Sequence, residues 1–348
     1  MAKNEKLVVG IDIGTYAIKV CQLQKNGSRY KLIAAGSGIV PPEAVEDGVL
    51  QDPKAVKTVL ASLLKNLKIK DNQVGISVSG HSVIVKKINL ERMEDEELKK
   101  YVADEASQYI PFDIDDVYLD FQRLPARNPD SERDDILLVA AKKEVVNEYL
   151  SLLAEMKLKT MLVDVDGFAL SNAWLTNSLH EANAMLVDIG ASKMNINILA
   201  QGVSVLARDV MMGSEQLTSR IAVDLDLDYD EAEKIKLGVK VLTEGVGKVE
   251  AIFSKICSQW VAEIKKAADL YGSNHPKQPL QGIVISGGGA KVDGLVDLVM
   301  QETQIPTQIF NPFERIDVDL KKMDRQYLEA IAPEMAIATG LAIRPAII

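Results

Sequence analysis

The two halves of this chain repeat one another. An apolar stretch over residues 7–13 runs into Asp12-Ile13-Gly14, and another over 185–189 runs into Asp188-Ile189-Gly190. Each is followed by a second apolar stretch (residues 17–23 and 194–199), a turn dipeptide (Asn26-Gly27 and Gln201-Gly202) and a third stretch (residues 30–35 and 203–210). Apolar runs of this length between turn residues read as strands, and Asn-Gly tolerates the positive φ of a tight hairpin. A helix comes next in both halves. Residues 52–67 carry Val56, Val59, Leu60, Leu63, Leu64 and Leu67 at helical spacing, with Asp52 as N-cap and Pro53 in the first turn. Residues 215–223 are the second such helix, and a strand over 74–78 follows the first. A shared order of elements carrying the same Asp-x-Gly signature predicts a duplicated α/β domain, and so a chain of two lobes.

Two segments interrupt the repeat. Residues 82–157 read as strand (83–88), helix (95–109), two strands (117–124 and 136–141) and helix (144–156), with a polar loop over 127–135 as the expected mobile tip. Tyr109, Phe112, Tyr118 and Phe121 are expected to fill the core of this inserted subdomain, although a partner groove could use them instead. Residues 224–272 form a helical insertion with a long periodic stretch over 249–270. The expected division is a first lobe of residues 1–81 and 158–183, to which 333–348 return, and a second lobe of 184–223 and 273–332. No low-complexity linker separates the pieces, which predicts one body with a cleft between lobes.

Composition narrows what that cleft can serve. A formal net charge of -10 argues against nucleic acid as partner and against direct docking on an acidic membrane. The two cysteines, Cys21 and Cys257, stand far apart in apolar patterns, and His81, His180 and His275 share no metal-ligand spacing. No Ser-His-Asp or Cys-His arrangement is visible. No signal-peptide pattern opens the chain and no apolar run is long enough to span a bilayer, so the expected compartment is the cytoplasm.

Three loops remain as candidates for chemistry. Asp12-x-Gly14-Thr15 ends a buried strand, and a tight turn there offers consecutive backbone N–H groups to an anion. Thr15, Tyr16 and Lys19 are near enough to contribute, unless Lys19 points to solvent. The Asp12 carboxylate suits a hydrated Mg²⁺, which takes few protein ligands. Asp188-x-Gly190-Ala191-Ser192 offers an equivalent loop from the other half. Either loop alone could be a plain hairpin; the pair argues for more. The third is Ile285-Ser286-Gly287-Gly288-Gly289, a strand running into three glycines and then a helix, which lets backbone lie flat against a ligand. It is neither a Walker loop nor a dinucleotide fingerprint. The acidic run Asp224, Asp226, Asp228 and Asp230 lacks the glycine and the bidentate glutamate of a calcium loop. It reads better as a helix start, with Asp230 capping and Glu233 completing a box, so that Glu233 and Lys236 project from one helix face.

Taken together, the three loops resemble the phosphate-1, phosphate-2 and adenosine motifs of the actin-like ATPase superfamily. Asp164-Val-Asp166-Gly167-Phe168-Ala169 is similar to its first connecting helix, and residues 332–342 to its last. The site of the insertion resembles the FtsA branch. Glu105-Ala-Ser-Gln-Tyr109-Ile-Pro111-Phe112 and Val117-Tyr-Leu-Asp120-Phe121 resemble the PilM family of type IV pilus assembly proteins. The resemblance implies a two-lobed, duplicated ribonuclease-H-like fold with an FtsA-type subdomain and ATP between the lobes. Asp12 and Asp188 would face Mg, while Gly14, Thr15, Tyr16, Lys19, Gly190, Ala191 and Ser192 would face phosphates. Gly213 would sit between the second hairpin and its helix, and Glu233 and Lys236 would line the adenosine side. Gly287, Gly288, Gly289 and Val292 would flank sugar and base, and Asp166 would orient metal or water. Ala191, Ser192 and Lys193 depart from the glycine and threonine of strong ATPases, so slow or absent turnover is expected.

For partners, the resemblance implies the cytoplasmic tail of the inner-membrane protein PilN, docked beside the inserted subdomain, and the pilus motor ATPases as further candidates. The chain stops at Ile348 with no amphipathic membrane helix of the FtsA kind, so membrane recruitment is expected through a partner. A sugar-kinase-like phosphotransferase and a filament-forming cytoskeletal ATPase of the same superfold remain alternatives.

Overall fold

The computed structural model describes residues 6–124, 132–178, 183–240, 242 and 244–346. The first half runs β1 (Val9–Ile13), β2 (Ala17–Asn26), β3 (Arg29–Ile39), β4 (Val45–Glu46), β5 (Val49–Leu50), α1 (Pro53–Asn66) and β6 (Gln73–Val78). The inserted segment gives β7 (Val83–Glu91), α2 (Asp95–Glu105), β8 (Val117–Arg123), β9 (Arg133–Lys142) and α3 (Lys143–Glu155). The chain then returns through β10 (Lys159–Val165) and α4 (Asp166–Asn177). The second half runs β11 (Ala184–Ile189), β12 (Met194–Ala200), β13 (Val203–Val210), α5 (Glu215–Leu225), α6 (Tyr229–Lys236), α7 (Val246–Asn274) and β14 (Gly282–Ser286). It closes with α8 (Leu295–Thr303), β15 (Thr307–Ile309), α9 (Arg325–Ile331) and α10 (Ala336–Ala342).

The repetition read from the sequence is a repetition of topology. One sheet has the order β3-β2-β1-β6-β10 and the other β13-β12-β11-β14-β15. In each, the first three strands are antiparallel and the last two join in parallel. Even the register repeats: Asp12 pairs with Lys19 and Ile13 with Ile18, as Asp188 pairs with Asn195 and Ile189 with Met194. The central strands β1 and β11 are buried along nearly their whole length, which explains their continuous apolar runs.

Local chemistry sets the element ends. Asp52 caps α1 by accepting from the amides of Lys54 and Ala55 at 3.1 and 3.0 Å, and the helix buries Val56, Leu60 and Leu63. The β12–β13 turn is Gln201-Gly202, both at positive φ. In the first half the turn falls one residue later than expected, at Gly27-Ser28, because Asn26 still pairs with Arg29 in the ladder. Asp228 rather than Asp230 caps α6, accepting from the Glu231 amide at 2.7 Å; starting there turns Ala232 and Ile235 into the core.

The inserted sheet, β7-β9-β8, packs one face on α2 around Leu98, Val102, Ile136 and Leu138. α2 stops at Glu105 and tightens into a single turn over Ala106–Gln108, and Pro111 disfavours helical backbone at Ile110, which keeps the helix from resuming there. Tyr109, Phe112 and Phe121 pack on this core, but Tyr118 lies on the other face of the sheet and is 47% exposed. Residues 127–131 of the expected mobile tip lie outside the described residues, and Arg133 onward is already strand. α3 packs Val146 on Ala141 of the inserted sheet and places Val145, Tyr149, Leu152 and Leu153 in the core under β1, β2 and α1. In the second half α7 lays Ile252, Trp260, Val261 and Ile264 against β11 and β12.

The two connecting helices bind the lobes. α4 and α10 cross so tightly that a Cβ on Gly340 would lie 1.7 Å from the Ala169 carbonyl oxygen. No helix among the described residues is long and apolar enough to cross a membrane.

Candidate functional site

A cavity of about 220 Å³ lies between the lobes, at the carboxyl ends of the central strands of both sheets. That is where open α/β sheets place their ligands. It is lined by both hairpin loops, the start of α4, the cleft face of α6 and Gly288. The loops are near copies. The Gly14 amide donates to the Ala17 carbonyl at 3.1 Å, and the Gly190 amide to the Lys193 carbonyl at 2.9 Å. The amides of Thr15, Tyr16, Ala191 and Ser192 donate to no acceptor among the described residues. The loops face each other directly, with Thr15 Oγ1 and Ser192 Oγ 3.0 Å apart. Two short runs of free amides opposed across a cleft are suited to a multiply charged anion.

Three carboxylates meet in the same place. Asp12 pairs with Lys19 Nζ at 3.1 Å, so Lys19 turns into the cleft rather than to solvent. Burial raises the Asp12 pKa, and Lys19 only partly offsets this. Asp188 accepts from Ser286 Oγ at 2.7 Å, yet desolvation in the cleft pushes its carboxyl up to about 6. Burial would raise Asp166 too, but the Lys193 ammonium and the hydrogen bond from Ser79 hold it below its usual value. Lys19 and Lys193 both stay protonated: burial opposes their charge, and the neighbouring carboxylates outweigh it. Among the described residues no three His, Cys, Asp or Glu side chains form a metal cage. A cation held here would have to complete its shell from water and ligand oxygens.

The wall formed by α6 carries a second polar group. Glu233 accepts from Thr218 Oγ1 at 2.6 Å and pairs with Lys236 at 2.7 Å; the Lys236 side chain is 4% exposed and its pKa is lowered, chiefly by burial. Lys291 and Glu334 pair at the same end.

Of the residues singled out from the sequence, Asp12, Gly14, Thr15, Tyr16, Lys19, Asp166, Asp188, Gly190, Ala191, Ser192, Glu233, Lys236 and Gly288 line the cavity. Gly213, Gly287, Gly289 and Val292 do not. A Cβ on Gly213 would meet the Ala191 carbonyl at 2.0 Å, so this glycine supports the second loop from behind. Gly287 and Gly289 press on Ile189, and Val292 is in the core of the second lobe. The sequence reading passed over Ser77, Ser79, Tyr149 and Glu334, which also line the cleft, and gave Lys193 no place in it. Ser77 and Ser79 had a signal: β6 lies parallel beside β1, so its carboxyl end had to reach the same crevice.

The raised pKa of Asp188 has a testable consequence. A carboxyl with a folded-state value near 6 and an unfolded value of 3.8 stabilises the fold fully below about pH 4, and that contribution is lost as pH rises through 6. Asp188→Asn keeps an acceptor for Ser286 and removes the buried charge. Its melting midpoint should exceed the parent's at pH 7, by up to about 3 kcal/mol of stability, and converge with it below about pH 4. Equal midpoints at both pH values would show that Asp188 is not desolvated.

The model of the family "Type IV pilus assembly protein PilM" matches residues 10–346. Among curated proteins, the chain is 24% identical over 258 residues to the cell division protein FtsA of Staphylococcus epidermidis, covering 67% of this chain and 54% of that protein. It is 21% identical over 359 residues to FtsA of Streptococcus pneumoniae, covering 89% of this chain and 76% of that one. The chain thus spans about half the length of the first of these relatives. Among solved structures, it superposes on a PilM-PilN type IV pilus biogenesis complex with TM-score 0.85 and 25% identity, over 97% of this chain and 98% of that one. It shares its fold with MreB5 of Spiroplasma citri bound to AMPPNP, with TM-score 0.52 and 13% identity over 97% of this chain and 95% of that one. The duplicated lobes are therefore an actin-like fold, and with nearly the whole length matched, the chain belongs to the type IV pilus assembly protein PilM family.

Proposed function

We propose that this chain is an ATP-binding scaffold of the type IV pilus inner-membrane assembly platform, held at the membrane through the cytoplasmic tail of PilN. The observation that carries the nucleotide half is the pair of facing loops, whose four free amides converge from opposite lobes beside Asp12 and Asp188. The solved neighbour with AMPPNP in the same fold supports the same class of ligand.

The residues present fit Mg-ATP. Thr15, Tyr16, Ala191 and Ser192 would hold phosphate oxygens through their amides, and Lys19 would add charge. Asp12 and Asp188 would hold Mg through water, which suits a cation that retains much of its hydration shell. Bound there, Mg would neutralise phosphate charge. Gly288 leaves the adenosine end open, since a Cβ there would meet no atom within 4 Å. Glu233 and Lys236 would meet the ribose. Turnover would be slow or absent: Asp166, the residue suited to align water, is already taken up by Ser79 and Lys193. At about 220 Å³ the cleft is smaller than the roughly 300–1,000 Å³ of ordinary ligand sites, so the lobes must part to admit nucleotide.

The partner half rests on a second, more open groove of about 770 Å³. Its floor is the face of the inserted sheet turned away from α2, with Tyr118, Leu137 and Val139, and its wall is Val163, Phe168 and Leu175 from β10 and α4. A solved relative that aligns over 97% of this chain is a complex with PilN, which supports a PilN-type tail as occupant. Leu175, 38% exposed, can be changed without opening the core. Leu175→Asp should weaken capture of a PilN tail peptide at least about tenfold while leaving ATP affinity and melting midpoint within error. Unchanged peptide affinity would place the tail elsewhere.

A further inference from the structure

The inserted sheet ends in an open edge. Its order is β7-β9-β8, so β8 pairs on one side only. The Leu124 amide donates to the Asp135 carbonyl of β9 at 2.8 Å, and the ladder runs back to Val117 without a shift of register. Alternation along an antiparallel ladder therefore turns the backbone groups of Tyr118, Asp120 and Gln122 towards β9, and those of Leu119 and Phe121 outwards. Among the described residues no backbone group pairs with the Leu119 amide or with the Leu119 and Phe121 carbonyls. This edge borders the groove of about 770 Å³. β9 meets the groove with the alternate residues Leu137, Val139 and Ala141, as the face of a sheet does. β8 meets it with the consecutive run 118–122, as the edge of a strand does.

β10, the last strand of the first sheet, brings the consecutive residues Val163, Asp164 and Val165 to the same groove. On both strands an aspartate guards the amide that follows it. Asp120 Oδ1 accepts from the Phe121 amide at 2.9 Å, and Asp164 Oδ1 from the Val165 amide at 2.8 Å. A charged residue on an edge strand discourages chance pairing with other strands. Among the described residues, the charged side chains that line the groove are these two aspartates and Arg344, which lies 3.5 Å from Asp164. Two carboxylates thus face one cation.

We propose that the groove takes its partner as an added strand: an extended peptide pairs along the free edge of β8 and makes the inserted sheet four-stranded. The inference rests on the partner reading above and adds how the tail is recognised. Main-chain bonds to Leu119 and Phe121 would supply register, as in other cases of strand addition. Every second side chain of the peptide would then turn onto the apolar surface of Tyr118, Phe168 and Leu175, so the occupant is apolar at alternate positions. The excess of carboxylates asks for at least one basic residue in it.

The test leaves the protein unaltered and modifies the peptide. A peptide from the cytoplasmic tail of PilN is N-methylated at one backbone position at a time, and each version is titrated into the full chain. Methylation at two or more positions spaced two apart should weaken binding about tenfold or more each, while the positions between them stay within about threefold. Exchange of the Leu119 amide should slow at least about tenfold when unmodified peptide is bound. A flat methylation profile, or unchanged exchange at Leu119 under saturating peptide, would overturn strand addition and leave the partner reading standing. Failure of the unmodified peptide to bind at all would overturn the partner reading, and strand addition with it.

Discussion

Replacing Gly288 with phenylalanine should leave the chain folded and lower its ATP affinity by about 100-fold or more, which corresponds to ~2.7 kcal/mol. The three consecutive glycines look alike in sequence and differ in structure. Gly287 has φ of 82° and its added Cβ would lie 2.4 Å from the Ile189 carbonyl oxygen; on Gly289 the Cβ would lie 2.3 Å from the Ile189 side chain. Those two fix the β14 loop against β11. Gly288 has no such neighbour, lines the cleft and has no left-handed φ, so a side chain added there starts in open space and extends into the cleft that the proposed nucleoside would use. Melting curves and titration with a fluorescent ATP analogue separate the two classes. Gly288→Phe should lose binding at an unchanged midpoint, and Gly289→Ala should lose stability. Full ATP affinity in Gly288→Phe would remove this loop from the site.

Gly340→Val should destabilise the whole chain by about 3 kcal/mol or more, at the upper end of what overpacking costs. Its backbone is the contact between α10 and α4, and Gly10 of β1 also approaches α10 closely, with an added Cβ 2.1 Å from the Ala338 carbonyl oxygen. Thr339, Leu341 and Ala342 around it are fully buried, so no flexible side chain can give way. The damage would spread to both sites. α4 starts at Asp166 in the cleft and carries Phe168 and Leu175 into the groove, and Arg344 just past α10 pairs with Asp164 at 3.5 Å. A shift of denaturation midpoint below about 1 kcal/mol would mean that the helices can move apart freely.

Much of this was legible because its causes are local. The hairpins, the Asp52 cap and the matched Asp-x-Gly turns depend on neighbours within a few residues, and the duplication shows in their order. What was not legible depends on which face a residue turns to a distant part of the chain. Nothing adjacent to Gly287, Gly288 and Gly289 says which of them backs onto Ile189. The spacing of Lys193 does not reveal that it spans the cleft, and Val145, Tyr149 and Leu152 on α3 fit a core in the insertion as well as one in the first lobe. The Asp230 cap expected for α6 gives way to Asp228, because a start there turns Ala232 and Ile235 into the core.

The most direct measurement is calorimetric titration of the full chain with Mg-ATP and, in parallel, with AMP. On the proposed reading, in which the four free amides hold phosphates, ATP binds saturably and one-to-one and AMP binds at least about tenfold more weakly. Equal affinities, or no heat with either nucleotide, would contradict the assignment of the facing loops to a polyphosphate.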